Sequence, residues 1–352
     1  MLLCICLTAN ATDCLIENPL VRDNSAWQGT IGNAPVTLQF EENADYGIVG
    51  SYYYRNNFKE LILKQDDSLD GWNEYNDKNQ LTGSIENYNC EGDLLTAEWK
   101  SADSKTILPL KATRIKEYQK NRLENIKFIA TPKVFGQRQY QILSVSNVKS
   151  TSLRLIAKGE GIAKLNTAFQ KNYIFTIDDE LQTIRNGKME GREYSAESSL
   201  SVLNWNNTFI TIKYTGGGYS GGAHPYWGSS AHVYNVMTGD EEKVNLWLTK
   251  DYKNELHEIS NDTPLGKKLS KQYVAQRLKN AKNKDDIAMA KDCLGDINFY
   301  SSGTWVSSNS FIFQTAASYA ASACIDEVTL PYEAVKPFLS ERGKFVMRAS
   351  QK

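Results

Sequence analysis

Between Trp27 and Thr113 the chain has no room for any element longer than a short strand, because turn-forming residues interrupt it every ~8–12 residues. The runs WQGTIG, PVTLQF, GIVGSYYYR, KELILK, DGWNEY, LTGSIENY, DLLTAEWK and TILPLKA are separated by NAP, ENADY, RNNF, QDDS, NDKNQ, NCEG and SADS. Short, evenly spaced strands with such breaks predict an all-β barrel or sandwich. Gly29, Gly50, Gly71 and Gly83 fall inside the runs, where bends at barrel corners are expected. Tyr52, Tyr53 and Tyr54 could stack on a sugar, but successive strand residues divide between two faces, which favours a structural role.

At 352 residues the chain exceeds a typical single core, so two domains are expected. The charged run RIKEYQKNRLEN, residues 114–125, reads as a helical connector. The boundary is therefore placed after Thr113, with an all-β domain over residues 12–113 and a second domain over residues 114–352. In the second domain, strands are expected near residues 126–130, 140–148, 199–205 and 208–214. Ile162, Leu165, Phe169 and Tyr173 recur at helical spacing, which predicts a helix over residues 161–175 lying on a sheet. A further helix is expected over residues 263–282, capped by Asp262 or Thr263 with Pro264 in its first turn. A short helix over 285–293, a hairpin from INFYSSGTW to SFIFQTAAS, and a last helix from Pro331 to about Gly343 complete the pattern. Strands mixed unevenly with helices indicate an α+β domain with antiparallel sheet and packed helices.

A formal net charge of -1 supplies no basic stripe for phosphates, so nucleic acid is not an expected partner. The N-terminus MLLCICLTANATDC has a short apolar core followed by Ala9-Asn10-Ala11, which fits a signal peptide over residues 1–11. No later run approaches the ~20 apolar residues of a membrane span. Export to the periplasm or beyond would remove Cys4 and Cys6 and leave Cys14, Cys90, Cys293 and Cys324 in an oxidising compartment. Pairing Cys14 with Cys90 and Cys293 with Cys324 keeps each disulfide within one domain.

The densest functional signal is TGGGYSGGAHPYWGSSAHVYNVMTGDEEKVNLWL, residues 215–248. Five glycines from Gly216 to Gly222 follow a β-branched run, so a strand is expected to enter a loop and continue as a decorated hairpin through HVYNV and KVNLWL. Gly218-Tyr219-Ser220-Gly221-Gly222 matches G-x-S-x-G, which makes Ser220 the candidate nucleophile; however, Pro225 and a strand stand where a nucleophile elbow needs a helix. His224 and His232 are weighed as metal ligands, but without an H-E-x-x-H spacing no metal or other cofactor is expected. The pairs Asp178-Asp179 and Asp285-Asp286 read as turn or cap residues rather than a glycosidase pair. Tyr219, Gly221, Gly222, His224, Tyr226 and Trp227 form the candidate binding loop, either as exposed anchors or as a local core.

GGAHPYW, the strand after it, MTGDEEKVNLWL, and the later TLPYEAVKPFLSERG together resemble a bacterial extracytoplasmic domain of unknown function. That domain occurs in the ectodomain of a lysozyme-sensing anti-sigma factor and beside the catalytic domain of some peptidoglycan deacetylases. With IAKLNTAFQKNYIFTI upstream, the resemblance spans roughly residues 124–343. It implies a secreted or periplasmic, non-enzymatic binding or sensing protein whose partner is a lysozyme-like protein or a peptidoglycan fragment. The alternative is an envelope hydrolase acting through Ser220 or a carboxylate.

Overall fold

The computed structural model describes residues 26–43, 47–55, 59–66, 71–116, 118, 123–124, 126–249, 258–307 and 309–350. Residues 1–11, expected as a signal peptide, and Cys14, expected as half of a disulfide, lie outside them. All eight N-terminal runs are strands: β1 (Ala26–Ile31), β2 (Ala34–Asn43), β3 (Gly47–Tyr54), β4 (Leu61–Asp66), β5 (Gly71–Tyr75), β6 (Leu81–Glu91), β7 (Leu94–Ser101) and β8 (Ile107–Ile115). They close into an antiparallel barrel in chain order, sealed where β1 pairs with β8, Trp27 opposite Arg114. Side chains such as Trp27, Leu38, Phe40, Leu63, Trp72 and Leu110 fill the interior, as an eight-stranded barrel allows. A Cβ on Gly29 would lie 1.9 Å from the Lys111 carbonyl oxygen, and one on Gly71 1.9 Å from that of Ile85, so neighbouring backbones require glycine there.

The tyrosine run is structural. Tyr52 and Tyr53 are wholly buried. The Tyr52 hydroxyl donates to the Glu74 carboxylate, which also accepts from Trp99 Nε1 and Thr82 Oγ1, each at 2.6 Å. Burial drives the Tyr52 phenol well above its ordinary range, with the Glu74 charge adding to the effect. Tyr53 donates to the Tyr118 carbonyl at 2.7 Å. The expected connector is corrected: β8 runs on through Ile115, and among the described residues of 116–125 only Leu123 and Glu124 are helical. Strand pairing with β1 holds Arg114 and Ile115 in the barrel despite their charged surroundings.

The region after the barrel is α+β with antiparallel sheets. It begins with a three-stranded sheet, β9 (Ile129–Phe135), β10 (Arg138–Ser144) and β11 (Ser152–Ile156). The helix α1 (Glu160–Met189) is 30 residues long, twice the predicted span, because its apolar stripe continues through Ile177 and Leu181 to Met189. It lies against β11 and a second sheet, β12 (Ser195–Trp205), β13 (Phe209–Tyr219), β14 (Tyr226–Asn235) and the short β15 (Glu241–Glu242). Leu165 and Phe169 pack there on Leu153, Leu155, Ile210 and Ile212. The other face of this sheet meets a third, β16 (Glu258–Ile259), β17 (Ile297–Val306), β18 (Ser310–Ala317) and β19 (Glu327–Pro331). Thr211 Oγ1 donates across that boundary to the Val306 carbonyl at 2.7 Å.

Helix α2 (Pro264–Asn280) starts where predicted, with the Thr263 side chain accepting from Gly266 N. In α3 (Lys284–Asp292), Asn283 caps the first turn by accepting from Asp286 N, and Asp286 accepts from Lys282 N, which assigns that carboxylate to the helix start. Cys293 and Cys324 are disulfide-bonded with a Cα separation of 5.3 Å. Cys90 is also disulfide-bonded, and Cys14, its expected partner, lies outside the described residues. The predicted last helix is broken in two, α4 (Tyr332–Val335) and α5 (Glu341–Ser350), with Pro337 and an extended Leu339 between them.

The end of α1 rests on the barrel. Met189 packs on Val49 and Ile62, and Arg185, 3% exposed, lies over the Tyr118 ring at 5.4 Å and donates to Glu41 Oε2 at 2.8 Å. Among the described residues, no helix is long and apolar enough to cross a membrane.

Candidate functional site

The glycine-rich stretch folds differently from expectation. Gly216, Gly217 and Gly218 are strand residues, paired with Gly228, Trp227 and Tyr226 on one side and with Ser198, Glu197 and Ala196 on the other. The loop is only residues 220–225, and KVNLWL forms a 3-10 turn over Val244–Trp247 rather than a second hairpin strand. Close packing accounts for Gly218, where a Cβ would lie 2.2 Å from the Ser195 carbonyl and 2.8 Å from the Tyr226 hydroxyl, while Gly216 would admit one at 3.6 Å.

At the tip, Gly221 has φ +92°, and a Cβ there would lie 2.2 Å from the Tyr194 hydroxyl. Tyr194 thus supports the loop from beneath, bonded to the Glu190 carboxylate and packed edge-on to Tyr219 at 5.9 Å. That hydrogen bond to Glu190 raises the Tyr194 phenol above its ordinary range. Sequence reasoning missed Tyr194 because it precedes β12, distant in the chain from the loop it holds. Tyr226 is 51% exposed and Trp227 70% exposed, so the two rings are open to solvent rather than forming a local core. Ser220, Gly222 and His224 are also exposed, and Tyr219 is half-buried.

His232 is not part of the tip. The register separates the Gly218–Tyr226 pair from the Ile212–His232 pair by six residues of β14, roughly 20 Å of strand. That distance separates His232 from both Ser220 and the loop residue His224, so neither a Ser220–His232 pair nor a shared metal site is assembled. Instead His232 Nδ1 is 2.7 Å from Glu241 Oε1, and Nε2 is 3.2 Å from Ser230 Oγ. No sequence motif marks this trio, since Glu241 is placed by the β14–β15 turn, opposite Tyr234.

The base of the hairpin is fixed to the third sheet. Lys213 Nζ pairs with Glu327 Oε1 at 2.6 Å, and Gln314 Nε2 donates to the Ser229 carbonyl at 3.1 Å. An aromatic tip on a braced strand pair is suited to contact.

No family model matches the chain, and no curated protein does. Among solved structures it is similar to a DUF3298 family member from Bacteroides fragilis, at 12% identity and a TM-score of 0.40, covering 65% of this chain and 98% of that one. It is similar also to a DUF3298 family protein from Pseudomonas aeruginosa, at 12% identity and a TM-score of 0.38, covering 61% of this chain and 94% of that one. Both neighbours thus carry the label of a domain of unknown function.

Proposed function

We propose that this chain is a binding or sensing protein of the bacterial cell envelope, periplasmic or secreted. In this reading its α+β region engages a lysozyme-like protein or a peptidoglycan fragment through the β13–β14 tip. The observation that carries the proposal is the exposure of Tyr226 and Trp227 beside His224, on strands that pair right up to the loop. Large aromatic rings held on a supported loop are the kind of anchor that dominates interface energetics. The resemblance of GGAHPYW and its flanking segments supports the choice of partner class. The barrel and the α+β region are taken as separate folding units joined after Ile115.

The test is titration calorimetry of the chain with a lysozyme and with muropeptides, run beside thermal melts. Replacing Tyr226 and Trp227 together by alanine should weaken binding by at least ~2 kcal/mol while the melting temperature hardly moves, because neither ring is buried. Unchanged affinity in the double variant, or no heat with either ligand class, would sink the proposal.

A further inference from the structure

We infer that Ser230, His232 and Glu241 form a nucleophile–base–orienter chain able to cleave short-chain carboxylic esters. Ser230 Oγ lies 3.2 Å from His232 Nε2, and His232 Nδ1 lies 2.7 Å from Glu241 Oε1. That connectivity, hydroxyl to one ring nitrogen and carboxylate to the other, is the arrangement by which an imidazole removes a serine proton. The β structure produces it: residues two apart on β14 share a face, and the pairing of Tyr234 with Glu241 brings the carboxylate beside them.

The imidazole is held from both sides. The Tyr214 ring meets it edge-on at 5.0 Å, and Tyr234 stacks on it at 6.4 Å, the two phenols bonded to each other at 2.8 Å. Ser230 itself is exposed and stands where two grooves meet. One, about 490 Å³, is bounded by His232, Glu241, Leu246, Trp305 and Gln314; the other, about 390 Å³, by Ser198, Tyr214, Gly216 and Gly228. Ser230 shares the Tyr214 face of the sheet, where the smaller groove is open to an ester, while Trp305 and Gln314 bound the larger groove from the third sheet on the other face.

In the reaction, Ser230 Oγ bonds to the ester carbonyl carbon as its proton passes to His232 Nε2 and the carbonyl π pair moves onto oxygen. Collapse of that intermediate breaks the bond to the alcohol oxygen, and the alcohol leaves with the proton returned from Nε2. Water then attacks the acyl-serine, giving its proton to Nε2; the carbon–Oγ bond breaks, and Ser230 regains the proton. The net change is ester plus water to acid plus alcohol. Glu241 acts as a positioning residue, accepting from Nδ1 in the tautomer that leaves Nε2 free to accept. Esters rather than amides follow from magnitude. A positioned base contributes ~10²–10⁴-fold, enough for a good leaving group at an open site, whereas amide cleavage draws further on an enclosed, preorganised oxyanion site.

The full chain should hydrolyse p-nitrophenyl acetate and butyrate and take up a fluorophosphonate probe on the peptide containing Ser230. Ser230→Ala and His232→Gln should each lower hydrolysis at least ~100-fold with unchanged melting curves. Glu241→Gln should lower kcat ten-fold or more at constant KM, which a merely structural carboxylate would not do. Labelling at another serine, no labelling at all, or a Ser230→Ala protein that turns over as fast as the parent would overturn the inference. Because the ring pair at the tip is not part of this trio, loss of partner binding in the Tyr226 and Trp227 variant leaves these measurements independent.

Discussion

Glu180 is 1% exposed, and its two carboxylate oxygens accept from Lys149 N at 2.6 Å and Ser150 N at 2.8 Å. It stabilises by satisfying backbone donors that have no strand partner, and Ser150 completes the junction by accepting from Ser198 N and, at its carbonyl, from Tyr173. Glu180→Ala would leave the buried Ser150 N–H unpaired, at about 1–3 kcal/mol, while the N–H of the exposed Lys149 can turn to water. Urea unfolding of that variant should therefore show a loss of roughly 1–3 kcal/mol, and a change under about 0.5 kcal/mol would remove Glu180 from this role. None of this was legible in the sequence. A glutamate that follows Asp178-Asp179, a pair read as turn or cap residues but placed inside α1, looks like a solvated position until the fold supplies the turn it faces. Tyr52 was legible as structural from strand alternation alone, but its partner Glu74 was not, because cross-barrel neighbours leave no local trace.

Elements whose stop signals are local were read well. Each barrel strand ends in residues that cannot continue it, and Thr263 with Pro264 announces α2 by chemistry confined to one turn. Elements stabilised from outside were read badly. The helix α1 outruns its predicted end at residue 175 because Ile177, Leu181 and Met189 carry its stripe on, with Arg185 at a buried position donating through Nη2 to Glu41 of the barrel. The glycines of β13 read as loop because strand propensity disfavours them, yet neighbours on both sides supply the ladder and at Gly218 need the space. For the same reason the aromatic tip was located but its support, Tyr194, was not. Phe169, 1% exposed at the centre of α1, tests the helix as a core element: Phe169→Ala should cost about 3–5 kcal/mol. The Cys293–Cys324 link spans 31 residues, so its removal as Cys293→Ser with Cys324→Ser should cost roughly 3–4 kcal/mol by chain entropy. Calorimetric melts of the two proteins would check both figures.

Across the whole molecule, α1 acts as a strut. At 1.5 Å per residue its 30 residues reach about 45 Å, from β13 and β14 at one end to β3 and β4 of the barrel at the other. Arg185→Ala should loosen that junction at about 1–3 kcal/mol, the pair being only partly desolvated on its Glu41 side. Hydrogen exchange should then speed up in β2 to β4 while β12 to β14 keep their protection. Equal acceleration in both would show that the strut carries no separable load. The barrel seam has a consequence for synthesis. Trp27 cannot find Arg114 until the ribosome has delivered the eighth strand, so for most of the time this region is being made, its first strand is an open edge seeking any ladder. At ~5–20 residues per second that interval lasts several seconds. Mistakes in production should therefore cluster in chains stalled or truncated before residue 107, which should associate with one another, while chains released after Ile115 should not.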